Sequence, residues 1–254
     1  MPFASLAAGS VVVTGGARGI GAAIATTLAQ LGSHVVVLDP AATASGERIA
    51  AVRGSASVDE DCAHAAALAA QRAPLIGWVN NAVAYDDPDL SAGSERFTAA
   101  VLANLAPVIA GSRAAIATFR AAATAGSIVN FSSHQAQRPV PGSAAYATAK
   151  GAIEAFTRAT GVDHGPAGIR ANAIAPGSIN TERHRRFLDS LDAASARQVS
   201  TALRAVHPLW RIGEATEVAA TVAFLLAEES SFITGTVLPV DGGRAVLGID
   251  PEAR

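Results

Sequence analysis

Short runs of β-branched and apolar residues punctuate this chain, and longer alanine-rich segments separate them. The runs cover residues 11–14, 35–39, 77–80, 127–132, 169–174 and 237–240, with a weaker one at 55–58. Each is short and apolar, as expected for strands buried on both faces of a parallel sheet. Between them the pattern takes on helical character near residues 19–31, 59–72, 94–122, 143–163 and 214–227. Strand–helix alternation predicts βαβ units, and hence an α/β fold: a doubly wound parallel sheet of about seven strands with helices on both faces. No low-complexity linker or solenoid period breaks the pattern, so a single domain over 1–254 is expected. Residues 178–212 separate two sheet elements and are richer in charge than their surroundings. A long insertion after a strand's carboxyl end is where a substrate lid would sit.

Composition narrows the classes. Half of the 254 residues are apolar and 16% are charged. That is ample for a sizeable core and argues against disorder. A net charge of −2 gives no reason to expect nucleic acid or an anionic membrane as partner. The one cysteine, Cys62, cannot form an internal disulfide and suits a reducing compartment. The N-terminus runs without a basic region into a glycine loop, so no signal peptide is read. No uncharged apolar run is long enough to span a bilayer. A soluble, cytoplasmic protein without a metal is expected.

Residues 11–21 read VVVTGGARGIG. A strand enters a glycine-rich turn and a helix leaves it. Gly15, Gly19 and Gly21 let the backbone turn tightly and let a pyrophosphate approach the helix N-terminus, where free N–H groups point outward. The spacing differs from the G-x-G-x-x-G fingerprint, and a tight turn alone has the same look. The second apolar run ends at Asp39, 18 residues beyond Gly21. An acid there hydrogen-bonds the adenosine ribose hydroxyls and repels a 2′-phosphate. Pro40 follows, where an arginine would have welcomed that phosphate. NAD is therefore favoured over NADP. Arg18, in the loop, works against that preference, and Asp39 could instead cap the next turn.

The chain has 19 basic residues and only one is a lysine, Lys150, which lies four residues after Tyr146, one of two tyrosines. On a helix these share a face. A neighbouring ammonium favours the phenolate and should lower the tyrosine pKa toward neutrality, where it can exchange a proton with a substrate oxygen. Lysine suits this better than arginine: it is a compact charge with rotatable donors that can also bind ribose hydroxyls. A surface Tyr–Lys pair on an alanine-rich helix would show the same spacing.

Together with TGGARGIG at 14–21, NNA at 80–82, Asn104, IVNFSS at 128–133, YATAK at 146–150, NAIAPGSINT at 172–181 and VDGG at 240–243, the chain resembles the short-chain dehydrogenase/reductase family from about residue 9 to residue 243. The resemblance implies a Rossmann fold, a nicotinamide cofactor and hydride transfer at a carbinol carbon. It implies a catalytic set of Asn104, Ser133, Tyr146 and Lys150. Tyr146 would be the general acid/base and Ser133, rather than Ser132, would hold the substrate oxygen. Lys150 would lower the tyrosine pKa and bind ribose, and Asn104 would hold a proton-relay water. Gly15, Arg18, Gly19, Ile20 and Gly21 would line the pyrophosphate. Asp39, Val58, Asn80 and Ala82 would lie on the adenosine side, with Tyr146, Lys150, Pro176, Gly177, Ile179 and Thr181 at the nicotinamide. Substrate would meet Ser133, Gln135 and Tyr146.

The family often has Asp-Val after its third strand where this chain has Ser57-Val58, and NNAG where it has NNAV, with Val83. His134, Gln135 and Tyr85 hint at a hydroxylated substrate such as a polyol, sugar or diol, and the ERHRR run at 182–186 at an acidic one. An NADP-preferring ketone reductase and a non-catalytic dinucleotide-binding regulator are the alternatives. The resemblance further implies a homotetramer, paired through the helices at 94–122 and 143–163. The tail from residue 244 is read as an interface or as disordered.

Overall fold

The computed structural model describes residues 3–44 and 46–248. Its centre is a parallel sheet built from β1 (Ser10–Thr14), β2 (His34–Leu38), β3 (Ile49–Val52), β4 (Leu75–Asn80), β5 (Gly126–Phe131), β6 (Ile169–Pro176) and a last strand, Val237–Val240. The strands stand in the order β3-β2-β1-β4-β5-β6 followed by Val237–Val240. β1 is buried at every position, and β2, β4, β5 and β6 nearly so, which is why they read as unbroken apolar runs.

The helices cover both faces. α1 (Gly19–Gln30) packs on one face, with the late helix Ala215–Leu226 beside it; Ile24, Leu28, Val218, Val222 and Leu225 meet Val11, Val13 and Val129 there. α2 (Asp59–Arg72) and α3 (Ser94–Ala121) pack on the other, where Cys62, Ala69, Ala115 and Phe119 meet Val12, Val36, Trp78 and Ile128. α4 (Ala144–His164) lies against α3 and β6. Among the described residues α3 alone is long and apolar enough to cross a membrane, and half of its apolar window is buried inside the protein.

Two expectations change. Residues 55–58 form no strand; the third strand is β3, earlier in the chain. Its sequence, IAAV, alternates buried and half-buried positions at the sheet edge, and two alanines leave little apolar contrast to read. Residues 55–58 instead turn into α2: the N–H of Val58 donates to the Ser55 carbonyl, and Val58 is the residue before the first turn of α2. The 178–212 segment is mostly helical. It holds α5 (Glu182–Asp189) and α6 (Ala193–Ala205), and its two-residue strand β7 (Ile179–Asn180) pairs with β8 (Gly213–Glu214). The late helix is thus α7 and the last strand β9.

The chain runs outward from β1 through β2 to β3, then returns to place β4 on the other side of β1. Such a reversal opens a crevice at the strands' carboxyl ends. The glycine loop after β1 and the Asn81 loop after β4 are its walls.

Candidate active site

The crevice is one trough with two chambers. The first, about 520 Å3, is lined by Gly15, Arg18, Gly19, Ile20, Gly21 and Asp39. The second, about 840 Å3, is lined by Ser133, His134, Gln135, Tyr146, Lys150, Pro176, Gly177, Ile179 and Thr181. Ile20, Asn81, Val83, Tyr85, Thr181, Arg183 and Phe187 belong to both. Two glycines shape the first chamber. A Cβ on Gly21 would lie 2.2 Å from the Gly15 carbonyl oxygen, so the loop closes only on glycine. A Cβ on Gly19 (φ +58°) would meet nothing nearer than Thr181, 3.9 Å away; it would stand in the trough itself. No side chain caps the first turn of α1, so its N–H groups remain available to an anion. Asp39 stands at the end of β2, its carboxylate accepting from the N–H groups of Ala17 (3.3 Å) and Ala41 (2.8 Å). These residues fit a dinucleotide: a phosphate cradle at one point and a hydroxyl acceptor at the next.

In the second chamber the ends of β5 and α4 meet. Ser133 follows β5 and accepts from the Gln135 N–H (3.2 Å). Its side chain also reaches the Tyr146 phenol, so the two hydroxyls meet in the chamber. Ser132 differs, because its hydroxyl donates to Glu154 (2.8 Å). Both serines line the second chamber, but only Ser132 is tied to a buried carboxylate. Lys150 is buried, and its ammonium donates to the Phe131 carbonyl (2.8 Å) and lies 5.3 Å from the centre of the Tyr146 ring. The first turn of α4 receives its cap from elsewhere: Asp87 Oδ1 accepts from the N–H groups of Ala145 (3.0 Å) and Tyr146 (3.1 Å).

The electrostatics correct one expectation. Burial pushes the Tyr146 phenol up to about 12, reinforced by Tyr85; Ser133 and Arg183 oppose the rise. Burial also pulls the Lys150 ammonium down to about 8. The lysine is aimed at a backbone carbonyl, and its charge is not what sets the phenol. Spacing on a helix predicted proximity but not desolvation, and desolvation wins here.

A family model described as Enoyl-(Acyl carrier protein) reductase matches residues 15–245. Levodione reductase of Leifsonia aquatica is 32% identical over 250 residues, covering 92% of this chain and 93% of that protein. The chain belongs to the short-chain dehydrogenase/reductase family. Cyclopentanol dehydrogenase of Comamonas testosteroni is 35% identical, with 92% of this chain and 95% of that protein covered. The ligand-free structure of Thermoplasma acidophilum aldohexose dehydrogenase superposes with a TM-score of 0.89 at 29% identity, covering 99% of this chain and all of that one. Proteins of this short-chain dehydrogenase/reductase family take a nicotinamide dinucleotide and act on CH–OH groups.

Against that family pattern, most of the expected residues line the trough and four do not. Asn80 is buried beneath it: its Oδ1 accepts from Trp78 Nε1 (2.8 Å), and its Nδ2 faces Asn130 Oδ1 (2.8 Å) and Ser112 Oγ (3.0 Å). Period-two alternation puts Trp78 and Asn80 on the α3 face. Asn81 takes the position by the trough, donating to the carbonyls of Thr14 (3.0 Å) and Gly15 (2.9 Å). Ala82 packs on the core behind it. Val58 is exposed and lines neither chamber. Asn104 is buried and its amide is spent on backbone, accepting from the Ala84 N–H (3.1 Å) and donating to the carbonyls of Ala84 (3.2 Å) and Ala100 (3.3 Å). It clamps the loop after β4 and does not face the chamber. Sequence reading missed Asn81, Asp87 and Arg244. Strand parity could have found the first. The other two act across 58 residues or more of chain and left no local signal. Arg244, read as the start of a tail, lines the second chamber; residues 249–254 of that tail lie outside the described residues.

Proposed function

We propose that this chain is an NAD(H)-dependent oxidoreductase that moves a hydride between nicotinamide and a secondary alcohol or ketone. The observation that carries the reading is one continuous trough, with the Gly19 cradle and Asp39 in one chamber and Ser133, Tyr146 and Lys150 in the other. The cofactor, when bound, supplies or accepts the hydride. Gly15, Arg18, Gly19, Ile20 and Gly21 hold its pyrophosphate, Asp39 its adenosine ribose, and Pro176, Gly177, Ile179 and Thr181 flank its nicotinamide. Ser133 donates to the substrate oxygen. Tyr146 passes a proton to that oxygen in reduction and takes one in oxidation. A phenol near 12 is protonated at neutral pH, which is the form reduction needs. Lys150 binds the nicotinamide ribose. Asn104 positions the wall of the trough. Residues 178–212 form the lid.

A hydroxylated substrate is supported by two acceptors without a donor. His134 Nδ1 lies 3.2 Å from the Pro176 carbonyl and so carries the ring proton, leaving Nε2 a bare acceptor. Burial, then the Arg244 charge, lowers its pKa and keeps it neutral. His134 Nε2 and Gln135 Oε1 are buried without partners. The relatives' names include a simple cyclic alcohol and an aldohexose, and the second lends support to a sugar or polyol.

Asp39 favours NAD. Fluorescence titration should give NADH at least about tenfold tighter binding than NADPH, and Asp39→Ala should narrow the gap. Tighter binding of NADPH by the wild type would overturn the cofactor assignment and favour Arg18 as a phosphate ligand.

A further inference from the structure

Arg244 stands in the wall of the same chamber as Tyr146 and Ser133. Its guanidinium is half-buried and, among the described residues, makes one side-chain hydrogen bond, from Nη1 to Ser178 Oγ (2.8 Å). Among the described residues no carboxylate pairs with it. The nearby acid, Asp241, is spent on backbone: Oδ1 accepts from the Gly243 N–H (2.9 Å) and Oδ2 from the Ala245 N–H (2.7 Å). The segment is fixed in place, because Arg138 Nε donates to the Ala245 carbonyl (2.9 Å) and the Arg244 N–H donates to the Asp241 carbonyl (3.1 Å).

The acids lining the chamber are Asp86 and Asp87. Asp86 pairs with Arg96 at 3.6 Å. Asp87 caps α4. The cations are less committed. Arg183 stacks 3.5 Å from the centre of the Tyr85 ring, and His184 lines the rim. The Asp241 charge offsets part of the cost of burying this guanidinium but forms no ion pair with it, and a ligand anion held on its free edge would offset the rest. With Nη1 held by Ser178, the remaining edge of the guanidinium offers two parallel donors. That fork matches a carboxylate. Arg244 does not line the glycine-loop chamber, so the anion it awaits is not the cofactor's pyrophosphate.

We propose that the substrate is a hydroxy acid or its keto acid, whose carboxylate is bound by Arg244 while its alcohol or ketone oxygen meets Ser133 and Tyr146. This rests on the oxidoreductase reading above. The carboxylate takes no part in the bond changes; it fixes which carbon faces the nicotinamide.

Matched pairs test it: 3-hydroxybutyrate against its methyl ester, and gluconate against sorbitol. The wild type should show kcat/KM at least about tenfold higher for the acid of a pair. Arg244→Met should bring that ratio to about one. A second arm needs no turnover. With and without NADH, 3-hydroxybutyrate should raise the wild-type melting temperature, the ester should not, and Arg244→Met should abolish the rise. If Arg244→Met melts far below the wild type unliganded, Arg244→Lys replaces it, and loss of the fork should remove most of the discrimination. An acid–neutral difference missing from both arms, or one that survives substitution of Arg244, overturns the proposal. Failure of the oxidoreductase reading looks different: no NADH binding and no turnover of neutral alcohols, with the melting arm still reporting on the anion.

Discussion

Lys150 shows what one buried side chain costs and supplies. It is 2% exposed and lacks a carboxylate partner within the site. In the unfolded chain its ammonium keeps the ordinary value of 10.5, and in the fold it falls to about 8. Between these values the unfolded chain binds more protons, so raising pH stabilises the fold. Below about 8 both states are protonated and the whole penalty stands, about 3 kcal/mol at 1.36 kcal/mol per unit. Tyr146 adds an opposite slope only above pH 10, where the unfolded phenol ionises and the buried one does not. Cys62, pushed by burial from 9.0 up to about 12, adds a falling slope above about pH 9 in both proteins, so urea melts should show the wild type gaining stability relative to Lys150→Met from pH 8 toward 10. At pH 7 the variant should be the more stable by about 2 kcal/mol, after about 1 kcal/mol for the lost bond to Phe131, and should lose turnover. A wild type that weakens from pH 8 to 10 relative to Lys150→Met contradicts this. The Tyr–Lys spacing was legible in the sequence. The direction of both shifts was not, since it depends on the walls that β5, β6 and the loop after β4 build around them.

At the scale of elements, the glycine loop and the start of α4 carry opposite lessons. Gly21 sits where any Cβ collides with backbone, whereas a Cβ on Gly151, inside α4 and next to Lys150, meets nothing within 4 Å. Gly21→Ala should lower the melting temperature and weaken NADH binding together. Gly151→Ala should raise stability by up to about 1 kcal/mol, the ordinary gain of alanine over glycine in a helix. If thermal melts rank these two the other way, the loop is not as tight as described. Ser143, before α4, offers no side-chain cap, and Asp87 supplies one from 58 residues away. Asp87→Ala should cost about 1 kcal/mol in stability and lower kcat/KM, because Tyr146 is on the freed turn. An unchanged melting temperature would show that the cap is not holding the helix. The strands with valine or isoleucine runs were legible because both faces are buried. β3 was not, because IAAV at an edge lacks contrast, and Ala56 and Val58 in the turn after it imitate a strand. The caps at Asp87 and the clamp at Asn104 were hidden for a different reason: their partners are backbone groups brought near only by the fold.

On the whole molecule, α3 leaves Leu102 and Ile109 exposed and α4 leaves Val162 exposed. These are the two alanine-rich helices expected to pair between subunits, and alanine lets helix axes approach closely. A homotetramer is our expectation, and light scattering at micromolar concentration should return four chains; a monomer contradicts it. The doubly wound parallel sheet follows from the alternation of elements, which the sequence displays openly, whereas the order of its strands and the switch between β1 and β4 are seen only in the fold. The shape of the second chamber does not, because it is made by α5, α6 and the segment carrying Arg244, elements with no pattern that announces a pocket. The central claim remains that Tyr146 exchanges the proton in a nicotinamide-dependent redox step. It is tested most directly by following NADH absorbance with a panel of polyols, sugars, diols, secondary alcohols and hydroxy acids, for the wild type and Tyr146→Phe, alongside NADH binding to both. The account predicts turnover by the wild type, a loss of at least about a hundredfold in the variant, and NADH binding in both; a Tyr146→Phe enzyme that binds NADH and keeps most of its turnover would contradict it.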